Sequence, residues 1–275
     1  MLFSLMTCTV APHWPGGCQS LEEMADLAVE VGCAALELSA GNLGDRSLAD
    51  YHRICLDRGL RTSCINAGCD MSSEDQAAFQ KGVDDGRRLV DMAVELDCKV
   101  VMPLPGLARD WDDKPRAMAR IAEGLRHLVG YAEPLGVRVT LEDFPNRLAV
   151  NDSIAGMQEL LMRVPGLGLT FDNGNWIFSG DDPVDAVNAL APYIFNVHLK
   201  DWESCPPPSH LHLPDGTPVR GGRHGQGLLD QPAILAALAE NGYDGFMAFE
   251  YEGPLDHKQA TREGMAYLRD IVANL

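Results

Sequence analysis

The chain has 275 residues, 46% of them hydrophobic, and a formal net charge of −18. That length suffices for one large core, since α/β barrels of roughly 250 residues fold as single domains. The negative excess repels phosphate backbones and argues against general nucleic-acid binding, and no apolar run approaches the roughly 20 residues of a membrane helix.

Short apolar runs alternate with longer amphipathic ones along the whole chain. The first run, "LFSLMTC" (2–8), has no basic residues before it and reads as a strand rather than a signal peptide. A helical pattern follows over 20–32, with Ser20 and Glu23 at capping-box spacing and Gly32 as its stop. Next come "AALELSA" (34–40) with a helix over 47–59, "RTSCINAG" (61–68) with 73–97, and "KVVMPLPG" (99–106) with 115–135. The second half continues with "RVTLEDF" (138–144) and 152–164, "LGLTFDN" (167–173) and 183–190, "IFNVHLKD" (194–201) and 231–241, and "FMAFEYEG" (246–253) and 256–275. Pro115, Pro183 and Pro232 sit near helix starts, where a missing N–H costs nothing.

Eight strand–helix units in strict alternation imply parallel strands with right-handed crossovers. They close most simply into a single-domain (β/α)8 TIM barrel spanning 1–275. An open doubly wound sheet would carry a Gly-rich phosphate turn after its first strand, and "CTVAPHWPGGCQS" is not one. The stretch 203–227, with three consecutive prolines and five glycines, is expected to be a long irregular loop. Cysteines at 8, 18, 33, 55, 64, 69, 98 and 205 form no Cys-x-x-Cys pair and read as buried thiols of a reducing cytoplasm, where the chain is expected to work.

Residues of a strand alternate between two faces. Val139 and Leu141 oppose Thr140 and Glu142; Leu169 and Phe171 oppose Thr170 and Asp172; Phe195, Val197 and Leu199 oppose Asn196, His198 and Lys200; Met247 and Phe249 oppose Ala248 and Glu250. One face is apolar and suits outer helices. The other ends in a carboxylate or an imidazole where an inward face opens at the barrel mouth. His198 alone reads equally as a hydrogen-bonded core residue, and a lone strand-end Glu as a solvated charge. Four such groups at consecutive strand ends are expected to converge, and three carboxylates brought together without a cation would repel. Glu142, Asp172, His198 and Glu250 therefore form a candidate site for one divalent metal, with Mn²⁺, Mg²⁺, Co²⁺ and Zn²⁺ all compatible with mixed N/O donors.

The runs "TLEDFPN", "TFDNGNW", "NVHLKDW", "GQGLLD" and "AFEYEG" give the whole chain a resemblance to the sugar phosphate isomerase/epimerase family, the xylose-isomerase-like TIM barrels. The resemblance implies a metal held by these four residues, commonly Mn²⁺, with Glu142 and Glu250 doubling as proton-transfer groups, and a lysine, here Lys200, that touches substrate. The chain departs from the pattern at Asn175, where many members carry histidine. Asparagine keeps hydrogen bonding but carries no proton, and its presence argues against phosphodiester cleavage by a multi-metal cluster.

A dication beside a carbonyl and its neighbouring hydroxyl acidifies the C–H between them and stabilises an enediolate. One carboxylate removes the proton. Its return to the opposite face gives an epimer, and to the adjacent carbon an aldose–ketose isomer. Loss of a β-substituent makes the enzyme a lyase, resembling inosose or dehydroshikimate dehydratases or eliminating from a keto-glycoside. A non-catalytic barrel with rim carboxylates is the third reading. Glu142 and Glu250 are the catalytic candidates, with the order of base and acid open. Substrate contacts are expected from Lys200, Glu37, Asn66, His13, Trp14, Asn146, Asn175, Arg220 and Arg223, with His224 a further candidate anchor. His210 and His212 read as exposed loop histidines. The expected partner is a small sugar or hydroxy-carbonyl compound, with no nucleic acid and no membrane, and a homodimer follows only from the family.

Overall fold

The computed structural model describes residues 1–275. Its strands are β1 (Leu2–Met6), β2 (Ala35–Ser39), β3 (Arg61–Gly68), β4 (Val100–Leu104), β5 (Arg138–Glu142), β6 (Gly168–Asp172), β7 (Ile194–Leu199), β8 (Trp202–Ser204), β9 (Leu211–His212), β10 (Pro218–Gly221) and β11 (Phe246–Phe249). The helices are α1 (Leu21–Glu30), α2 (Leu48–Leu56), α3 (Gln76–Glu95), α4 (Lys114–Ala132), α5 (Ile154–Arg163), α6 (Pro183–Leu190), α7 (Gln231–Glu240) and α8 (His257–Ala273). Eight strands close in the order β1-β11-β7-β6-β5-β4-β3-β2, so the chain is a single-domain TIM barrel. None of its helices is long and apolar enough to cross a membrane.

Local signals set the helix starts. Ser20 accepts the Glu23 N–H, but the Glu23 carboxylate reaches Gln19 N rather than closing a box on Ser20. Ser47 and Asp50 make the full reciprocal box at the head of α2. Gly32 ends α1 in a left-handed turn that leads to β2. At the equivalent corner before β4 a non-glycine residue, Asp97, takes the positive φ.

The outward faces of β5, β6, β7 and β11 behave as the alternation predicts: Val139, Leu141, Leu169, Phe171, Val197, Leu199, Met247 and Phe249 are buried. Phe195 is the exception. The β6–β7 pairing jumps from Leu169↔Ile194 to Thr170↔Asn196. The extra residue in that bulge is left unpaired. Phe195 is 38% exposed and lies under the Arg138 guanidinium, 4.4 Å from the ring centre.

The stretch 203–227 is not irregular throughout. β8, β10 and β9 form a three-stranded antiparallel sheet at the mouth. The prolines and glycines punctuate it rather than prevent it: "PPP" precedes β9, the Asp215–Gly216 turn joins β9 to β10, and Pro218 opens β10 where its missing N–H is tolerated. A small cluster of Phe178, Trp202 and Val219, with Leu211 and Leu213 against it, fixes this sheet to the barrel. Trp202 is further tied by its indole N–H to the Gly174 carbonyl at 3.0 Å. All eight cysteines are free, and six are buried.

Candidate functional site

Strand parity brings Glu142, Asp172, His198 and Glu250 together at the C-terminal ends of β5, β6, β7 and β11. One donor atom from each lies within 4.8 Å of the other three, and all four residues are buried. His198 Nδ1 is 2.7 Å from Glu142 Oε1, 3.9 Å from Glu250 Oε2 and 4.0 Å from Asp172 Oδ2.

The strand ends are pinned from behind. Asn151 donates to the Glu142 carbonyl, and His224 Nε2 lies 3.0 Å from the Glu250 carbonyl. Asp143 accepts the Asp172 N–H at 2.8 Å, and Asp172 Oδ1 accepts from the backbone of Gly174 and Asn175. A buried amide pair then fixes the β7 exit: Asn173 donates to Gln231, Lys200 N donates to Asn173, and Gln231 donates to the Lys200 carbonyl. The sequence signal for Asn173 and Gln231 was slight, because their pairing joins positions 58 residues apart.

Glu37 reaches across from β2. Its Oε1 lies 2.8 Å from His198 Nε2 and accepts from Asn66 at 3.1 Å, and its Oε2 accepts from Asn196 at 3.0 Å. A carboxylate on one ring nitrogen fixes the ring and directs the other nitrogen. Here that other nitrogen, Nδ1, faces the quartet.

Charge is concentrated and opposed. Burial alone would lower the His198 pKa, but Glu37 and Glu142 lift it well above the ordinary imidazole value. Lys200 Nζ sits 3.2 Å from Asp172 Oδ2 and 3.1 Å from Glu250 Oε2. Burial would lower its pKa too, and Asp172 and Glu250 hold it well above the usual value. Burial would raise Glu250, but Lys200 and His198 keep it below the usual carboxylate range. Asp172 goes the other way: burial, with Glu250 and Glu142 beside it, outweighs Lys200 and pushes it well up.

The residues fit a dication. Asp172 Oδ2 and Glu250 Oε2 are buried without a hydrogen-bond partner, the lysine contacts being ion pairs only. An unprotonated Nδ1 and a carboxylate oxygen at 2.7 Å repel unless a proton or a cation lies between them. One imidazole nitrogen with carboxylate oxygens is a donor set for Mn²⁺, Mg²⁺, Co²⁺ or Zn²⁺, and opposite ligands at about 2.0–2.6 Å from an ion stand about 4–5 Å apart.

Other sequence candidates have different occupations. Asn66 donates to Glu37, and Glu37 is engaged in turn by Asn66, Asn196 and His198. The Asn175 side-chain N–H donates to the Asp143 carbonyl at 2.8 Å, which ties two loops, while its Oδ1 has no partner. Trp14 stacks on His257 with ring centres 4.6 Å apart and gives its N–H to the Cys8 carbonyl. His13 is exposed beside it. Asn146 is an exposed turn residue accepting from Leu148 N. Arg220, on β10, lies 2.7 Å from Glu203, and Arg223, just after it, lies 3.8 Å from Glu263; both side chains keep solvent access, and neither pairs with the quartet.

A closed parallel barrel with acids and an imidazole gathered at its C-terminal mouth defines a TIM-barrel enzyme scaffold. The family described as xylose isomerase-like TIM barrel matches residues 25–271, and the chain belongs to it. It is an enzyme of that family. Among relatives, it is 25% identical over 223 residues to an inosose isomerase of Bacillus velezensis, covering 80% of this chain and 78% of the relative. Two solved structures share its fold at a TM-score of 0.80. One is the probable 3-DHS dehydratase AsbF of Bacillus anthracis, 20% identical and covering 98% of this chain and 99% of that one. The other is the IOLI protein with a binding zinc atom, 19% identical and covering 100% and 97%.

Proposed function

We propose that the chain is a divalent-metal-dependent isomerase or epimerase of a sugar or a closely related hydroxy-carbonyl compound. The observation that carries this reading is the pair of carboxylates, Glu142 and Glu250, whose oxygens lie 2.7 and 3.9 Å from His198 Nδ1 at the C-terminal ends of their strands. A dication held by Glu142, Asp172, His198 and Glu250 would polarise a carbonyl and stabilise the negative charge that develops when the neighbouring C–H ionises. Manganese is the expected ion, and the zinc of the IOLI structure supports a dication in such a barrel.

Of the chain's own groups, one glutamate takes the proton from carbon and the other returns it. Return to the opposite face gives an epimer, and return to the next carbon gives an isomer. Lys200 holds Asp172 and Glu250 in place and offers its remaining N–H groups to substrate hydroxyls. Glu37 keeps Nδ1 turned toward the quartet. The buried setting excludes water and strengthens each of these interactions.

The test is to load the protein with Mn²⁺ and incubate it with a panel of keto-sugars and inososes in D₂O. Deuterium should enter beside the carbonyl with no change of mass other than the incorporated label, and Glu142→Gln and Glu250→Gln should each slow its entry by about 10²–10⁴. Absence of exchange on every hydroxy-carbonyl compound would sink the reading. A lyase is the second reading, favoured by the dehydratase among the structural neighbours. A product that has lost water decides for it.

A further inference from the structure

With 40 acidic residues against 22 lysines and arginines, almost every cation of this chain has a partner. Most pair with a carboxylate. Arg61, Arg126, Arg138 and Arg269 do not, and they reach the Phe246 ring or the carbonyls of Arg163, Gly166 and Val31 instead. Arg147 alone has a side chain with no ion pair, hydrogen bond or aromatic contact, and it is exposed. It lines the largest cavity of the molecule, a groove of about 880 Å³ between the loops after β4, β5 and β6 and the β8–β10–β9 sheet. None of the quartet residues lines that groove. Pockets for small-molecule ligands span roughly 300–1,000 Å³.

The same groove holds Trp111, the one exposed tryptophan of the chain, with 60% of its surface open. Lys114 joins the two groups: its ammonium is 3.0 Å from the Arg147 carbonyl and 5.3 Å from the centre of the Trp111 ring. Asp152 is the single carboxylate in the lining, and Lys114 neutralises it at 2.7 Å. The Arg147 charge is therefore uncompensated. Lys114 opens α4 and Ser153 caps α5, so the positive ends of two helices border the groove and add to the field. His210 and His212, both exposed, bring further N–H groups from β9. A guanidinium fork matches a carboxylate or a phosphate in two parallel hydrogen bonds. An open indole receives a flat ring.

We propose that the groove is a second ligand site, separate from the quartet, for a small aromatic anion: a ring that bears a carboxylate or a phosphate ester. Arg147 takes the anionic group, Trp111 stacks on the ring, and Lys114 stays on Asp152. The strongly acidic surface elsewhere repels such a molecule, which concentrates its binding at this one uncompensated cation. The inference is independent of the sugar-directed function above.

Calorimetric titration of the intact metal-loaded protein with benzoate and with phenyl phosphate tests this. Benzyl alcohol is the control with a ring and no charge, and inorganic phosphate the control with charge and no ring. At least one aromatic anion should bind about tenfold or more tighter than both controls, the size of effect a charge-assisted hydrogen bond supplies. The preferred anion distinguishes a carboxylate from a phosphate ester. Arg147→Ala should weaken its binding by about tenfold or more. Trp111→Ala should weaken it by about threefold or more and remove the quenching of tryptophan emission that accompanies binding to the parent. Arg147 makes no side-chain contact and Trp111 is largely open, so both variants should melt with the parent. Removing the metal with a chelator should leave the affinity unchanged, because the groove excludes the quartet. Benzyl alcohol or inorganic phosphate binding as tightly as both aromatic anions overturns the proposal. So does an affinity that either alanine variant leaves unchanged, or binding that disappears with the metal.

Discussion

Glu37 and Glu250 are both inward-facing glutamates at the barrel mouth, one from the first half of the chain and one from the last strand. Their surroundings differ. Glu37 is fully buried and both its oxygens are engaged, by His198, Asn66 and Asn196. Glu250 retains a buried oxygen with no hydrogen bond of good geometry, facing the charges of Lys200 and His198. A carboxylate whose acceptors are all engaged orients its neighbours, whereas one with unmet acceptors has capacity for a ligand. The same contrast holds between the halves of the barrel. Strands β5, β6, β7 and β11 each end in an ionisable group, whereas β1 to β4 supply the single carboxylate Glu37, and that one faces the imidazole rather than the substrate side.

The sharpest break of this comparison is to neutralise each glutamate. Glu142→Gln and Glu250→Gln should reduce proton exchange by about 10²–10⁴, the usual contribution of a positioned acid or base, with the circular dichroism spectrum unchanged. A loss below tenfold in both would move the proton-transfer role elsewhere. His224, which holds the Glu250 carbonyl, gives the next effect. Burial depresses its pKa from 6.5 to about 4. The unfolded chain therefore binds one more proton in that window, and the contribution is intact above pH 6.5 and lost as pH falls toward 4. The drop is about 3 kcal/mol. Denaturation of wild type and His224→Gln across that range should show the wild type with the steeper acid loss. Parallel slopes would mean that the ring is not buried neutral.

How these groups meet was partly legible. Period-two alternation alone put Glu142, Asp172, His198 and Glu250 on one face and at one end of four strands, and the barrel closes them together. Alternation says which way a side chain points but not what it meets, so Glu37 was expected at the substrate without its bond to a histidine 161 positions later. The same gap hid the ion-pair partners of Arg220 and Arg223: Arg220 meets Glu203 across the β8–β10 pairing, and Arg223 meets Glu263 on α8. Phe195 went astray for a different reason: a one-residue bulge shifts the period, and nothing in "IFNVHLKD" marks where the extra residue falls. The small sheet in 203–227 was hidden because strands of two to four residues between prolines and glycines carry no measurable alternation.

Smaller effects test whether Glu37 acts through the imidazole. Glu37→Gln keeps the shape and an acceptor but removes the charge that supports His198. Metal affinity, measured by competition with a chelating dye, should fall by about 10–100-fold, as for other outer partners of a ligating histidine. Asn66→Ala is the gentlest change. It deletes one of the donors to Glu37 and leaves His198 and Asn196 in place. Stability in urea should fall by about 1–2 kcal/mol, the net worth of one buried hydrogen bond to a carboxylate. Metal affinity should then change by less than about threefold, because the bond from Glu37 to Nε2 survives. If Asn66→Ala weakened the metal as much as Glu37→Gln does, the ring would be held by the whole Glu37–Asn66 pair rather than by the carboxylate, and the distinction between orienting and ligand-holding carboxylates would have to be redrawn around that pair.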